Sequence, residues 1–274
     1  MKNIIVPTDF SDGAFNALIH AVEMAKITGA SIRVIHAYSM PSTGSAVMVD
    51  IVDILKKNAD EELGNLAVRT KQLKSAEGVT ITYHSLHGAV VDVINRECED
   101  ENIDLVVMGT QGASGITEKW LGSNTAAAAR NVNVPLIAIP AELPFKKYDK
   151  MLFATDMKVL ENMHPLKFVA ELADHCNSKV KFMHIRKHGE ESDDKKVEEF
   201  QKQVGSVFGE RNPSFAFLFD DEIEDGLADA IESERPDLVV VIRHEYGFFK
   251  GLFHSSTSQR LVNNASLPIL VMKG

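Results

Sequence analysis

The sequence contains little cysteine and few aromatic residues. Its 274 residues include two cysteines, Cys98 and Cys176, which form neither a C-x-x-C motif nor a disulfide framework. We interpret both as buried or half-buried free thiols, because each falls within a helical pattern. Aromatic residues make up 7% of the chain, so we expect a core built from valine, isoleucine, leucine and alanine.

Long apolar runs and concentrated positive charge are also missing. No apolar segment approaches the ~20 residues that a membrane-spanning helix needs, and no apolar region of a signal peptide precedes Asp9. We therefore expect a cytoplasmic protein without a membrane partner. The formal net charge is −10 and the basic residues are scattered, whereas nucleic-acid binding needs clustered lysines and arginines. The sequence predicts no nucleic-acid partner.

The common catalytic and metal-binding patterns are absent from the sequence. The chain has no G-x-S-x-G elbow and no Ser–His–Asp arrangement. The histidine pairs His84/His87 and His184/His188 have no cysteine or carboxylate at metal-ligand spacing. We interpret them as surface or strand-end histidines, and the sequence indicates no catalytic residue and no metal site.

The chain does contain an internal repeat. Four β-rich segments of the first half recur in the same order in the second half, which indicates a tandem duplication. The segment ELPFKK, at residues 142–147, interrupts both patterns, so we predict two domains, residues 1–143 and 148–274. The paired segments are 2–11 with 149–158, 29–38 with 177–186, 103–109 with 236–242, and 134–140 with 267–273.

Each repeated segment is a short apolar run, typical of a strand buried on both faces. The order βαβαβαβαβ in each half predicts an α/β fold of two doubly wound domains, each a five-stranded parallel sheet flanked by helices. One helix of the second half should be shorter. Ligands of such sheets bind outside the carboxyl ends of the strands, where the strand order reverses. The helical patterns of the first half cover residues 14–28, with Ser11 as N-cap, and residues 48–73, 87–101 and 123–131.

The glycines after the fourth strand are candidates for a phosphate site. The segment MGTQGASGITEKWLGSN has the spacing Gly109-x2-Gly112-x9-Gly122-Ser123, which differs from a Walker P-loop and from G-x-G-x-x-G. We expect Gly109 and Gly112 to reach positive φ and to approach phosphates closely. Gly122 and Ser123 should open a helix whose free N–H groups and dipole attract a phosphate. The alternative is that these glycines only let the chain turn.

The spaced glycine motif resembles the ATP-binding branch of the universal stress protein family, whose signature is G-x2-G-x9-G-[ST]. The opening I-x-V-P-T-D-F-S, the V-I-H-A of the second strand and the closing V-P-L-I-A-I-P are similar to that family too. The resemblance covers nearly all of both halves. It implies a tandem member with an adenine nucleotide alpha-hydrolase-like fold that binds ATP, with or without Mg²⁺, and has a stress-response or regulatory role. It also implies an intramolecular pseudo-dimer that pairs residues 136–139 with 269–272; a homo-oligomer stays open.

The resemblance also implies which residues contact the nucleotide. Asp9 would accept hydrogen bonds from the ribose, although it could instead cap the following helix. Ala37 would lie beside the adenine, and Lys119 would offset phosphate charge unless it is simply solvated. Met108 would flank the base unless it belongs to the core. The expected nucleotide-binding residues are Pro7, Thr8, Asp9, Ala37, Met108, Gly109, Gly112, Gly122, Ser123 and Asn124.

The second half departs from the motif. Bulkier residues replace the first two glycines, and His254 or Ser255 stands in the place of Gly122, while Asp156 still matches Asp9. We therefore expect ATP in the first half alone. A binding protein is favoured over a slow ATPase or phosphotransferase, because no base is clearly placed to activate water. A structural interaction protein with an empty first pocket is a third alternative.

Overall fold

The computed structural model describes residues 1–39, 48–111, 122–189, 193–243 and 267–274, apart from the side chains of residues 48–50. These residues form two units, one up to residue 145 and one from residue 146 onward. Each unit has an α/β fold with a parallel sheet, as the alternating pattern predicts. None of the helices within these ranges is long and apolar enough to cross a bilayer.

The strands of the first unit have the order β3-β2-β1-β4-β5, and all their pairs are parallel. The order reverses between β1 and β4. Right-handed crossovers then place α1 and α2 on one face of the sheet and α3 and α4 on the other. The elements are β1 (Asn3–Pro7), α1 (Asp12–Thr28), β2 (Ser31–Tyr38), α2 (Met48–Lys71), β3 (Ile81–His87), α3 (Val90–Asp100), β4 (Leu105–Gly109), α4 (Ser123–Asn131) and β5 (Leu136–Ile139).

Capping residues and turns in the sequence explain the helix boundaries. Ser11 is the N-cap of α1, as predicted, and its hydroxyl accepts a hydrogen bond from the backbone N–H three residues later. Gly29 ends this helix in the left-handed conformation, with φ 76°. Helix α3 begins at Val90 and not at residue 87, because His87 is still paired in the sheet. Gly88 then turns the chain with φ 140°.

The second unit repeats this topology with the strand order β8-β7-β6-β9-β10, again with parallel pairs. Its helix α6 has 15 residues where α2 has 24, which confirms the prediction of a shortened helix. The elements are β6 (Lys150–Ala154), α5 (His164–Cys176), β7 (Lys179–Arg186), α6 (Asp194–Phe208), β8 (Ser214–Phe219), α7 (Ile223–Glu234), β9 (Leu238–Arg243) and β10 (Ile269–Lys273).

The two cores differ in composition. The buried side chains of the first unit are mainly aliphatic, as predicted. The buried side chains of the second unit are mainly aliphatic too, but its core also holds an aromatic cluster that was not predicted, in which Phe182 contacts four other phenylalanine rings with centroid distances of 4.7 to 5.7 Å. Two of the 14 phenylalanines of the chain precede residue 145, so the average aromatic content conceals a second half rich in them. The four rings around Phe182 belong to Phe153, Phe200, Phe208 and Phe215.

Candidate functional site

The carboxyl ends of β1, β2 and β4 lie side by side where the strand order of the first unit reverses. Sheets of this type bind ligands at such an edge. Nine of the ten expected residues are described and lie on these strand ends, directly after them or at the start of α4, whereas the tenth, Gly112, and also Lys119 lie outside the described residues. The nine are Pro7 at the end of β1, Thr8 and Asp9 after it, Ala37 in β2, Met108 and Gly109 at the end of β4, Gly122, and Ser123 and Asn124 at the start of α4.

Two hydrogen bonds join the end of β4 to the start of α4. The N–H of Gly122 donates to the carbonyl of Thr110 at 2.5 Å. The hydroxyl of Thr125 donates to the carbonyl of Gly109 at 2.7 Å. Both threonines are buried. The sequence reasoning missed them, although each lies within two or three residues of a motif glycine. Together they bring the first and last motif glycines to the same place.

Helix α4 begins at Ser123, as predicted, with Gly122 as its N-cap at φ −58° and ψ 158°. The first N–H groups of an α-helix have no partner inside the helix, and here they belong to Ser123, Asn124 and Thr125. The side chains of Ser123 and Asn124 are exposed. These N–H groups and the positive end of the helix dipole make the start of α4 suited to an anion.

Gly109 is needed for a different reason from the predicted one. The prediction that it takes a positive φ is wrong. A Cβ on Gly109 would instead lie 2.8 Å from the carbonyl oxygen of Gly13, within the first turn of α1. A Cβ on Gly13 would in turn lie 2.6 Å from the carbonyl oxygen of Gln111. The two glycines therefore allow α1 to pack directly against the end of β4.

Gly13 was missed from the sequence, although a signal was present. Glycine within a helix costs about 1 kcal/mol relative to alanine, so a glycine in the first turn calls for a packing reason. The backbone of Gly109 and Gln111 supplies that reason here. Because Gly13 belongs to α1, the phosphate-loop candidate and the first helix share one contact.

The loop after β1 is fixed by hydrogen bonds around Thr8. Its hydroxyl accepts from the N–H of Phe10 at 3.0 Å, and its carbonyl accepts from Nδ1 of His36 in β2 at 2.8 Å. Phe10 takes the left-handed conformation, with φ 64°, and its ring centroid lies 4.5 Å from that of His36. His36 therefore determines the position of the loop that carries Asp9. A signal for this structural role was present in the sequence, because His184 stands at the matching position of the second half.

Asp9 supports the cap of α1 without being the cap itself. Its Oδ1 accepts hydrogen bonds from the N–H and from the hydroxyl of Ser11, at 3.1 and 2.6 Å. The N-cap of α1 is Ser11 and not Asp9. Asp9 therefore contributes to the cap only through its hydrogen bonds to Ser11. The Asp9 side chain is exposed. It thus presents a negative charge at the edge where β1 ends.

The remaining expected residues divide between core and crevice wall. Met108 and Pro7 are buried, so the methionine packs in the core of the first unit. Ala37 is half-buried and pairs in register with Leu86 of β3. The small side chain of Ala37 leaves space at the end of β2.

The loop after β6 in the second unit repeats the geometry of the loop after β1. Nδ1 of His184 donates to the carbonyl of Thr155 at 2.9 Å, and the Thr155 hydroxyl accepts from the N–H of Met157 at 3.0 Å. Met157 is left-handed, with φ 55°. This loop conformation therefore belongs to the fold of both units and does not by itself distinguish a ligand site.

The units differ at the end of the fourth strand. Sheet register places Ile242 at the position of Gly109, and its side chain is buried. Nine residues separate α5 from β6, whereas four residues separate α1 from β1. The longer loop is bound by Gln203 of α6, whose side-chain amide donates to the carbonyl of Leu160 at 2.7 Å and accepts from its N–H at 2.9 Å. An isoleucine side chain at the glycine position is incompatible with an early helix start.

Two further differences reduce the crevice of the second unit. Ile185 stands at the position of Ala37 and is buried. The carboxylate of Asp156, which matches Asp9, forms an ion pair with Nζ of Lys158 at 2.9 Å. The predicted replacements of Gly122, at His254 and Ser255, lie outside the described residues.

Neither cysteine is suited to nucleophilic chemistry. Burial, with a smaller contribution from the charges of Glu97 and Glu99, raises the pKa of the Cys98 thiol to about 12. Burial also raises the pKa of Cys176. Both thiols are therefore protonated at neutral pH, and the reactive thiolate is rare. In the described ranges, no group of three His, Cys, Asp or Glu side chains could hold a metal ion.

Comparison with known proteins agrees with the repeat. The sequence model of the universal stress protein family matches residues 1–140 and again residues 147–273. A universal stress protein of Methanocaldococcus jannaschii is 29% identical over 144 residues, which are 50% of this chain and 81% of that protein. One from Synechocystis is 34% identical over 99 residues, 34% of either chain. The crystal structure of a universal stress protein from Archaeoglobus fulgidus has the same fold, with a TM-score of 0.71 at 17% identity, and covers 99% of this chain and 96% of its own. The chain belongs to the universal stress protein family, as a member with two tandem domains.

Proposed function

We propose that the protein binds ATP in the crevice of its first domain and acts as a nucleotide-dependent regulatory protein of the stress response. The observation that carries this proposal is the junction of β4 and α4. Gly109 and Gly122 are brought together there through the hydrogen bonds of Thr110 and Thr125. A backbone without side chains therefore meets the start of a helix at the edge where such sheets bind ligands.

The start of α4 is the proposed site of the phosphates. The N–H groups of Ser123, Asn124 and Thr125 are those that the helix leaves for an outside acceptor. The helix dipole adds the equivalent of roughly half a positive charge at this end. Gly122 has no side chain between these N–H groups and the crevice. Mg²⁺ would enter the site bound to the phosphates of ATP.

The loop after β1 and the end of β2 are the proposed site of the nucleoside. The Asp9 carboxylate is oriented by Ser11, and a carboxylate accepts up to about four hydrogen bonds, so it can also accept from ribose hydroxyls. Ala37 leaves room for the adenine ring where the second domain has Ile185. Pro7 and Thr8 would form the wall between ribose and sheet.

The proposal assigns one ATP to each chain. In the second domain Ile242 occupies the position of Gly109, and the longer loop after β6 replaces the early start of the helix. Lys158 forms an ion pair with Asp156, the match of Asp9. A ribose would have to compete with this lysine, and a phosphate would meet a branched side chain.

Binding without turnover fits the described residues better than hydrolysis does. Hydrolysis requires a group that positions water and a group that stabilises charge on the transferred phosphate. Asp9, after β1, and His36, in β2, are ionisable side chains at this edge of the sheet. Ser11 engages the first and the Thr8 carbonyl engages the second. Both thus serve to fix the loop after β1.

The test is to purify the protein without added nucleotide, denature it, and identify and count any nucleotide released. One ATP per chain, retained from the cell or bound on titration with magnesium-ATP, is the expected result. Two per chain would contradict the argument about the second domain. The absence of ATP after purification and on titration would overturn the proposal. Steady release of phosphate from bound ATP would show instead that the protein is an ATPase.

A further inference from the structure

The chain that leaves β5 folds back onto α1. We call residues 140–145 the linker, since they lead from the first domain toward the second. The side-chain amide of Asn16 donates to the carbonyls of Pro140 and Leu143, at 3.0 and 2.8 Å. Nε2 of His20, one helical turn later, lies 2.8 Å from the same Leu143 carbonyl. Two side chains of α1 therefore bind the backbone of the linker.

His20 is fully buried. One of its two ring nitrogens forms a hydrogen bond with the linker. A carbonyl can only accept, so Nε2 carries the hydrogen and donates to Leu143. Its Nδ1 is buried and has no hydrogen-bond partner among the described residues. The ring also lies edge-on to Phe145, with centroids 5.4 Å apart. The polar and aromatic contacts of His20 thus both depend on the linker being in place.

The same part of α1 contacts the phosphate-loop candidate. A Cβ on Gly13 would lie 2.6 Å from the carbonyl oxygen of Gln111 and 3.4 Å from the Cβ of Ala141. A Cβ on Gly109 would lie 2.8 Å from the carbonyl oxygen of Gly13. The first turn of α1 is therefore packed against both the residues that follow β4 and the beginning of the linker. A shift of either neighbour must be accommodated by this turn, because helix and strand backbones touch without intervening side chains.

We propose that α1 couples nucleotide binding in the first domain to the docking of the linker. The inference rests on the proposed ATP site. A nucleotide that fixes the residues after Gly109 also fixes the first turn of α1, and this turn positions Asn16 and His20 for the linker. Release of the linker loosens the same turn and weakens nucleotide binding. Such coupling is reciprocal, since each ligand changes the affinity for the other by the same factor.

The test compares trypsin cleavage at the linker with and without magnesium-ATP. Lys147 closely follows the linker and is exposed, whereas Lys146 forms an ion pair with Asp237 of the second domain. Cleavage after Lys147, identified by mass spectrometry, is therefore the report of undocking. For the wild type we expect magnesium-ATP to slow this cleavage about fivefold or more. Asn16→Ala should raise cleavage without nucleotide and weaken ATP binding by a similar factor. Asn16 is half-buried, which makes this change milder than a substitution of His20.

Thr28→Ala is the matched control, because it removes side-chain hydrogen bonds at the other end of α1, where the Thr28 hydroxyl also accepts from the N–H of Ala30 at 3.3 Å. The Thr28 hydroxyl donates to the Met24 carbonyl at 2.9 Å, far from the linker. We expect this variant to keep wild-type cleavage and wild-type ATP affinity. Unchanged cleavage with ATP and unchanged affinity in Asn16→Ala would overturn the coupling and leave the ATP site intact. A wild type that binds no ATP would overturn both.

Discussion

Gly109 at the end of β4 and Gly13 in α1 approach so closely that a Cβ on Gly109 would lie 2.8 Å from the carbonyl oxygen of Gly13. In the second domain Ile242 takes the place of Gly109, and the helix after the first strand begins later. The contact between the two glycines thus determines where α1 can begin. The early start in turn places Ser11 and Asp9 beside the crevice.

Gly109→Ala should push the first turn of α1 away from β4. We expect the free energy of unfolding to fall by about 1–3 kcal/mol, as for an overpacked core site. ATP affinity should fall as well, because Asp9 moves with the helix. Urea unfolding and ATP titration measure the two effects. Gly64→Ala is the control: this glycine of α2 has nothing within 4 Å of its added Cβ. The Gly64→Ala variant should have a free energy of unfolding up to about 1 kcal/mol higher than the wild type and an unchanged ATP affinity. Wild-type behaviour of Gly109→Ala would show that the contact is unimportant.

Gly122→Asp should separate helix capping from nucleotide binding. Gly122 has φ −58° and ψ 158°, which any residue adopts, and both aspartate and serine cap helices well. Neither Gly122→Asp nor Gly122→Ser should therefore lower the stability of the first domain. The aspartate, however, places a negative charge where the phosphates are proposed to bind. At a distance of about 4 Å the repulsion predicts a loss of about 10- to 100-fold in ATP affinity.

The serine variant provides the comparison for that charge. Its side chain is similar in reach but neutral, so its ATP affinity should lie between those of the wild type and of Gly122→Asp. Isothermal titration calorimetry at low and high salt measures the difference, which should shrink as salt screens the charge. Equal affinities of the serine and aspartate variants would place the phosphates elsewhere.

Local patterns in the sequence were sufficient to predict much of the fold. Ser11 caps α1 and Ser123 begins α4, as predicted, because capping and helix opening depend on a few neighbouring residues. The strands follow from apolar runs, and their parallel order follows from the alternation with helices. The error at the start of α3 arose because His87 remains in the sheet for one more strand position.

The contacts between segments that are distant in sequence could not be predicted from local patterns. Gly109 was expected to need a positive φ, but its requirement comes from the approach of Gly13, which depends on how closely α1 packs against β4. The partner of His20 is a carbonyl 123 residues away. A polar pair such as Asn16 and His20 at i and i+4 on an apolar helix was the available signal. Only the folded chain identifies the linker as what they bind.

The buried His20 predicts that acid weakens the first domain. Burial lowers the pKa of His20 below its usual value of 6.5, despite the hydrogen bond to Leu143 and the charge of Glu23. Burial, followed by the charge of Arg33, lowers the pKa of His84 in the same direction. Below about pH 6.5 the unfolded chain therefore binds protons that the folded domain does not. The stabilisation is complete above that pH and is lost as the pH falls, by up to about 1.4 kcal/mol per pH unit for the buried His20 and by less for His84, which water screens.

His20→Gln isolates the contribution of His20, because glutamine can still donate to Leu143 but does not titrate. Urea unfolding from about pH 7.5 to about 5.5 should show a steeper loss of stability in the wild type than in the variant. The comparison concerns the slope with pH and not the absolute stability, which the substitution also changes. Identical slopes would mean that His20 is protonated without cost in the folded protein.

His36 and His184 provide a matched pair for testing which domain binds the nucleotide. Each donates through Nδ1 to a threonine carbonyl, that of Thr8 or of Thr155, at 2.8 and 2.9 Å. Replacing either by phenylalanine keeps a ring but removes the donor, which should destabilise its own domain by about 1–3 kcal/mol. His36→Phe should also lower ATP affinity, because the loop that carries Asp9 loses its support. His184→Phe should leave ATP affinity unchanged.

The comparison is made by calorimetric titration at a temperature at which circular dichroism shows both variants folded. A general loss of stability would affect the two variants alike, so a loss of affinity confined to His36→Phe reports the position of the loop in the first domain. An equal loss in both variants would indicate that ATP binding depends on the stability of the whole chain. A loss confined to His184→Phe would place the nucleotide in the second domain, where Ile242 and the Lys158–Asp156 ion pair argue against it.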